Sequence, residues 1–144
     1  MAYKPFSSAG EKQIIEAIEQ AENTCSGEIR IHIDRFCKGD PLLKAKNLFH
    51  HLGMEETKQR NGVLIYVAVE DHRFAIVGDI GINEKVPENF WENTKDLMLN
   101  HFKNNALVEG IVEGVKNAGE QLKTHFPPVE DDKDELSNDL SYGA

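Results

Sequence analysis

Two sets of oxygen-bearing side chains fall where elements of structure should begin or end. The first is Asp34, Asp40, Glu70 and Asp71; the second is Asp79, Asn83, Glu84 and Glu88. Carboxylates brought together repel one another unless a cation neutralises them. Calcium accepts about six to eight oxygens, main-chain carbonyls and water among them, so irregular loops can serve it. The chemistry these residues suit is therefore the holding of calcium, or of another hard divalent cation such as magnesium. No EF-hand spacing is present. A plainer reading stands beside this one. Asp40 also suits a helix cap, Glu-Asp at 70–71 suits a solvated turn, and Asp79 suits capping of loop amides. Glu84 and Glu88 would favour the positive end of a helix. The residues leave both readings open.

Other chemistries find less support. His50 and His51 are adjacent, so on a helix they face different ways. His32 alternates onto the polar face of a strand, His72 sits in a turn, His101 on an apolar stripe and His125 at a helix end. None has zinc-ligand spacing. Cys25 and Cys37 form no Cys-x-x-Cys and flank one strand, which would have to fold back for them to meet. Free thiols point to a reducing compartment. Arg35 and Lys38 stand near Cys37, and such charges lower a thiol pKa. No G-x-S-x-G and no phosphate-binding glycine loop occurs. A metal-assisted phosphatase would need a cation, an activated water and a phosphate clamp. Arg35, Lys38 and the amides after Asp40 could form the clamp, but an aspartyl nucleophile motif is missing.

The elements that must position these groups follow from periodicity. "SSAGEKQIIEAIEQAENTCSG" predicts a helix, with Ser8 and Glu11 at capping-box spacing and Ile14, Ile15, Ile18 and Ala21 inward. "EIRIHIDRF" alternates, which predicts a strand with Ile29, Ile31 and Ile33 buried and Arg30, His32 and Asp34 on a polar face. Asp40 and Pro41 open a second helix. "GVLIYVAV" is continuously apolar, as a strand covered on both faces is. "EDHR" turns the chain into "RFAIVGDI", which returns as a hairpin. Pro87 opens a third helix with Phe90, Trp91, Thr94, Leu97, Met98, His101 and Phe102 on one stripe. A fourth carries Leu107, Val108, Ile111, Val112, Val115, Ala118 and Leu122 inward, with Gly110, Gly114 and Gly119 either weakening it or permitting close packing. The order α-β-α-β-β-α-α predicts an α/β protein: a three-layer α/β/α sandwich around a small, mixed, mostly parallel sheet.

Length and charge bound the rest. The 144 residues suit one domain, placed at residues 5–127. Residues 128–144 hold six acids against Lys133 alone. Such a segment cannot bury a core, so it reads as an acidic disordered tail. The net charge of −9 disfavours nucleic acid as a partner. No signal-peptide-like start and no membrane-spanning run occurs. The expectation is a soluble, cytoplasmic monomer without membrane contact.

A resemblance adds to this. "SGEIRI" after an N-terminal helix, "RNGVLIYVAVEDHRFAIVGDIGIN", a proline-initiated helix with Phe-Trp and a closing helix ending "LKTHFP" together resemble the TPM domain, here in a stand-alone bacterial form. That family includes a thylakoid acid-phosphatase-like protein, photosystem repair factors and bacterial proteins. The resemblance implies an α/β/α sandwich, binding of divalent cations, calcium especially, and a phosphatase activity in plant members. The family's glutamate falls on Asn83 and its aspartate on Glu88. Many relatives carry a signal peptide and a membrane anchor, and neither is evident in this chain. The function expected is cation binding with a binding or regulatory role. The alternatives are a weak metal-dependent acid phosphatase and a protein-interaction module for repair or assembly complexes, its protein partner unknown.

Overall fold

The computed structural model describes residues 5–87, 89–128 and 140–143. Helix α1 (Ser8–Asn23) starts at Ser7, whose Oγ accepts from the Gly10 amide at 3.1 Å. The cap is thus Ser7, one residue before the expected Ser8. Strand β1 (Glu28–Asp34) leads to α2 (Pro41–His51), capped as expected by Asp40, whose Oδ1 accepts from the Leu42 amide at 3.0 Å. α2 closes through the left-handed Gly53: the Gly53 and Met54 amides donate to His50 and Phe49 carbonyls, both at 3.0 Å. Strand β2 (Gly62–Ala68) is buried along its whole length, and β3 (Arg73–Gly78) returns antiparallel to it. A short α3 (Ile80–Asn83), then α4 (Phe90–Lys103) and α5 (Leu107–His125) follow. α4 begins at Phe90 rather than Pro87; Glu88 lies outside the described residues.

The sheet order is β3-β2-β1-β4, where β4 is Ser141–Tyr142. β1 runs parallel to β2 and to β4, so the sheet is mixed and mostly parallel. One face carries Ile29, Ile31, Ile33, Val63, Ile65 and Val67 against the apolar stripes of α1 and α5. α4 packs across α5, and the sulfur of Met98 lies so close to Gly114 that an added Cβ would stand 2.6 Å from it. The α5 glycines therefore permit close packing. The opposite face carries Leu64, Tyr66, Ala68 and Ala75 beneath α2. This is the three-layer α/β/α sandwich. No helix among the described residues is long and apolar enough to cross a membrane.

Two expectations change. The polar face of β1 is not solvated: His32 and Asp34 are both buried. The cover comes from the far end of the chain. Part of the stretch expected to be a disordered tail, Leu140–Gly143, lies on the sheet, with Leu140 buried and the Gly143 amide donating to the Ile33 carbonyl at 2.8 Å. Residues 129–139 and 144 lie outside the described residues. Lower on the same edge, a Glu22 carboxylate oxygen from α1 accepts the Ile29 amide at 2.8 Å.

Ile65 is fully buried at the centre of the sheet. Ile65→Ala is expected to cost about 2–5 kcal/mol in urea unfolding, as cavities in tight cores do. A loss under ~1 kcal/mol would mean the sheet is not packed as described.

Candidate functional site at the carboxyl end of the sheet

Parallel pairing places the carboxyl ends of β1 and β2 together, the usual place for ligands in open α/β sheets. The ladder runs past the strands: Val69 and Glu70 amides donate to the Asp34 and Arg35 carbonyls at 3.0 and 2.9 Å. Asp71 then ties the two loops, its Oδ2 accepting from the Cys37 amide at 2.7 Å. Glu70 pairs with Arg35 at 3.5 Å, both half-exposed. Asp40 caps α2 at the end of the same loop and is exposed. The fold therefore brings segments 34–40 and 70–71 together. Among the described residues, however, no three His, Cys, Asp or Glu side chains stand in position to hold a metal ion.

Asp34 belongs to a buried chain of polar groups. Its Oδ1 accepts from His32 Nε2 at 3.0 Å and its Oδ2 from the Tyr66 hydroxyl at 2.9 Å. An ionised carboxylate only accepts, so His32 carries its proton on Nε2, and Nδ1 accepts from Ser141 Oγ at 2.8 Å. The Tyr66 and His32 rings stack with centroids 6.0 Å apart. Burial raises the Tyr66 pKa well above the ordinary phenol range, with Cys37 and Asp34 adding to the effect. Gly143 closes the site from above: an added Cβ would fall 1.7 Å from Asp34 Oδ1, so no other residue fits there. Sequence reasoning singled out Asp34 but placed His32 on a solvated face and missed Tyr66 and Ser141. A tyrosine inside an otherwise aliphatic strand, which must satisfy its hydroxyl, was the available signal.

The second set is held together by internal bonds. Asp79 is buried and accepts two bonds from Arg60, from Nε at 2.6 Å and Nη2 at 2.8 Å. The same carboxylate caps α3, accepting from the Ile80 amide at 2.7 Å. Donating to the Asp79 carboxylate in turn raises the Arg60 pKa. Asn83 donates to the Gly78 carbonyl and accepts from Trp91 Nε1, each at 2.7 Å. Glu84 is exposed at the end of α3, and Glu88 lies outside the described residues. The glycines are there for close approach. A Cβ on Gly81 would stand 2.0 Å from the Gln59 carbonyl oxygen. Arg60, the partner that answers Asp79, was not anticipated. Both cysteines are buried, and neither forms a disulfide.

The sequence is matched by a TPM domain family model over residues 3–121. The chain belongs to the TPM domain family. This TPM domain is similar to the NMR structure of the BA42 protein from the psychrophilic bacterium Bizionia argentinensis, at 44% identity and a TM-score of 0.90, covering 97% of each chain. Two further neighbours show the same fold. The N-terminal domain of a protein from P. gingivalis is 19% identical with a TM-score of 0.69, over 87% of this chain and 83% of that one. The N-terminal domain of the cg2496 protein from Corynebacterium glutamicum is 13% identical with a TM-score of 0.66, over 82% and 74%. No curated protein matches the sequence.

Burial lowers the His32 pKa from 6.5; Asp34 opposes this, and Lys44 and Arg30 add to it. The unfolded TPM chain then binds a proton that the folded one does not. The stability His32 contributes is thus present above the ordinary histidine pKa and lost as pH falls through and below it. The melting temperature is expected to drop from pH 7 to 5, and His32→Gln to remove part of that drop. Identical slopes in the two proteins would show that His32 does not carry it. Separately, Gly81→Ala must push the 59–60 backbone aside and is expected to cost about 1–3 kcal/mol in denaturant unfolding. A neutral result would contradict that close approach.

Proposed function

We propose that this TPM domain is a binding or regulatory module that takes a hard divalent cation, calcium foremost, at the carboxyl end of β1 and β2. One observation carries the reading. The exposed carboxylates of Asp40, Glu70 and Asp71 stand on two loops that the Asp71–Cys37 bond and the extended ladder hold side by side. Calcium completes its shell with main-chain carbonyls and water, so a few carboxylates on an irregular loop are enough for a weak site. The loop 35–40 supplies such carbonyls, and Gly39, left-handed at φ 82°, lets it bend. Asp34 is committed to His32 and Tyr66 beneath the surface, where it supports the loop. Asp79 and Asn83 are committed to Arg60 and Trp91. The ion would therefore be drawn to the first set of residues rather than the second. Asp71 leaving the Cys37 amide for the ion would be the main rearrangement.

A site of this kind belongs in the weak range, with a Kd on the order of 0.1–1 mM. At a tenfold excess over Kd, calcium adds about 1.4 kcal/mol, which shifts the melting temperature upward by a few degrees. The expected outcome is such a rise at millimolar calcium, reversed by chelator and lost in a Glu70→Gln/Asp71→Asn double variant. Amide shift changes should centre on residues 35–40 and 69–72. No rise, or a rise that the variant retains, overturns the reading. The rival, a metal-dependent acid phosphatase, would show cation-dependent turnover of p-nitrophenyl phosphate. A protein-interaction module would show neither response.

A further inference from the structure

We infer that the cavity between the β2–β3 turn and the α4–α5 corner is a binding site for a small organic anion with an apolar body and a terminal carboxylate. This does not rest on the cation reading, although the cavity shares the β2–β3 turn with Glu70 and Asp71. The cavity measures about 400 Å³, within the range of small-molecule sites. Its walls are Val67, Val69, Phe74, Leu99, Phe102 and Leu107. Phe74 and Phe102 meet edge to face, their centroids 5.0 Å apart, and so present a rigid aromatic corner. An apolar body gains by leaving water for such walls.

The mouth has a different character. His72, Arg73, Lys103 and Asn105 line it, and all four are exposed. A shallower cavity continues past His72, Arg73, Phe74 and Leu99 to Lys95 and Asp96. The Lys95 ammonium lies over the Phe74 ring, 5.8 Å from its centroid, which keeps a cation at the lip. The rim thus sets three permanent cations and a histidine against one carboxylate, in a chain whose net charge is −9. A cationic ligand has one acid to answer it, and a neutral one gains nothing from the rim. An anion gains at every cationic position.

The mouth is also set by backbone. His72 and Asn105 both take left-handed conformations, at φ 55° and 59°. Asn105 does so inside the hydrogen-bonded closure of α4, where the Ala106 amide donates to the His101 carbonyl at 2.9 Å. Arg73 is steadied by donating from Nη1 to the Gly39 carbonyl, and its guanidinium has further N–H groups for a carboxylate. The aromatic wall, the backbone of the mouth and Arg73 are therefore in place before a ligand arrives, which limits the ordering cost of binding.

The test titrates the full ¹⁵N-labelled chain with octanoate and, at matched ionic strength, with the isosteric neutral octanamide. Saturable amide shifts are expected across residues 67–74 and 99–107, with octanoate tighter by roughly two- to fivefold, the range of exposed charge pairs. Lys103→Gln combined with Lys95→Gln should at least halve the octanoate preference, Arg73 keeping the remainder, and leave octanamide unchanged. Leu99→Trp, which fills the cavity, should weaken both. The inference fails if neither compound gives saturable shifts at those amides. It fails equally if acid and amide bind alike, or if the double lysine variant keeps the full octanoate preference. The lysine changes are on the surface, so the charge arm stands even should Leu99→Trp fold poorly.

Discussion

Parallel strands cannot be joined by a tight turn, so the pairing of β1 with β2 obliges the chain to cross the domain through α2 before returning. Most of the architecture follows. The crossing places α2 on one face and leaves the other to α1 and α5. It also sets the end of β1 beside the end of β2, where Asp34, Glu70 and Asp71, distant along the chain, become neighbours. The two carbonyl-to-amide bonds beyond the strands and the Asp71–Cys37 bond carry that register into the loops. Loops that would otherwise be independent are thereby held as one surface.

Within that surface, burial divides the carboxylates into two kinds. Asp34 and Asp79 are buried and satisfied from inside the protein, the first by an imidazole and a phenol, the second by a guanidinium and a helix amide. A buried carboxylate without such partners would be costly, so these bonds are conditions of the fold. Asp40, Glu70 and Asp71 lie at the surface, where water supports their charge. Their partners are the first turn of α2, the Arg35 side chain and the Cys37 amide. The apolar cavity adjoins these carboxylates through the β2–β3 turn, whose Val69, His72 and Arg73 line it.

Much of this was readable from sequence, and the exceptions share a cause. β2 announced itself by eight consecutive apolar residues, and Asp40-Pro41 by cap chemistry that operates over two residues. Those signals are local. β4 is two residues long, too short to carry a period, and its place on β1 depends on contacts more than 100 residues away. The wetness of one β1 face was inferred from His32 and Asp34 themselves, although the cover is supplied by Ser141 and Gly143. The Arg60–Asp79 pair spans 19 residues and two strands, so neither residue announces the other. The cavity mouth likewise joins residues 72–73 to residues 95–105, a conjunction only the packing of α4 creates.

The outer margin of β1 has a consequence for how these molecules behave toward one another. A bare strand margin is a template on which a second chain can grow, the first step toward stacked assemblies. Here the upper part is occupied by β4, and lower down a glutamate from α1 takes the Ile29 amide for itself. An incoming strand would have to evict a backbone and a buried side chain before gaining a ladder of its own. The protein thus covers this margin with its own segments, one from before β1 and one from after α5.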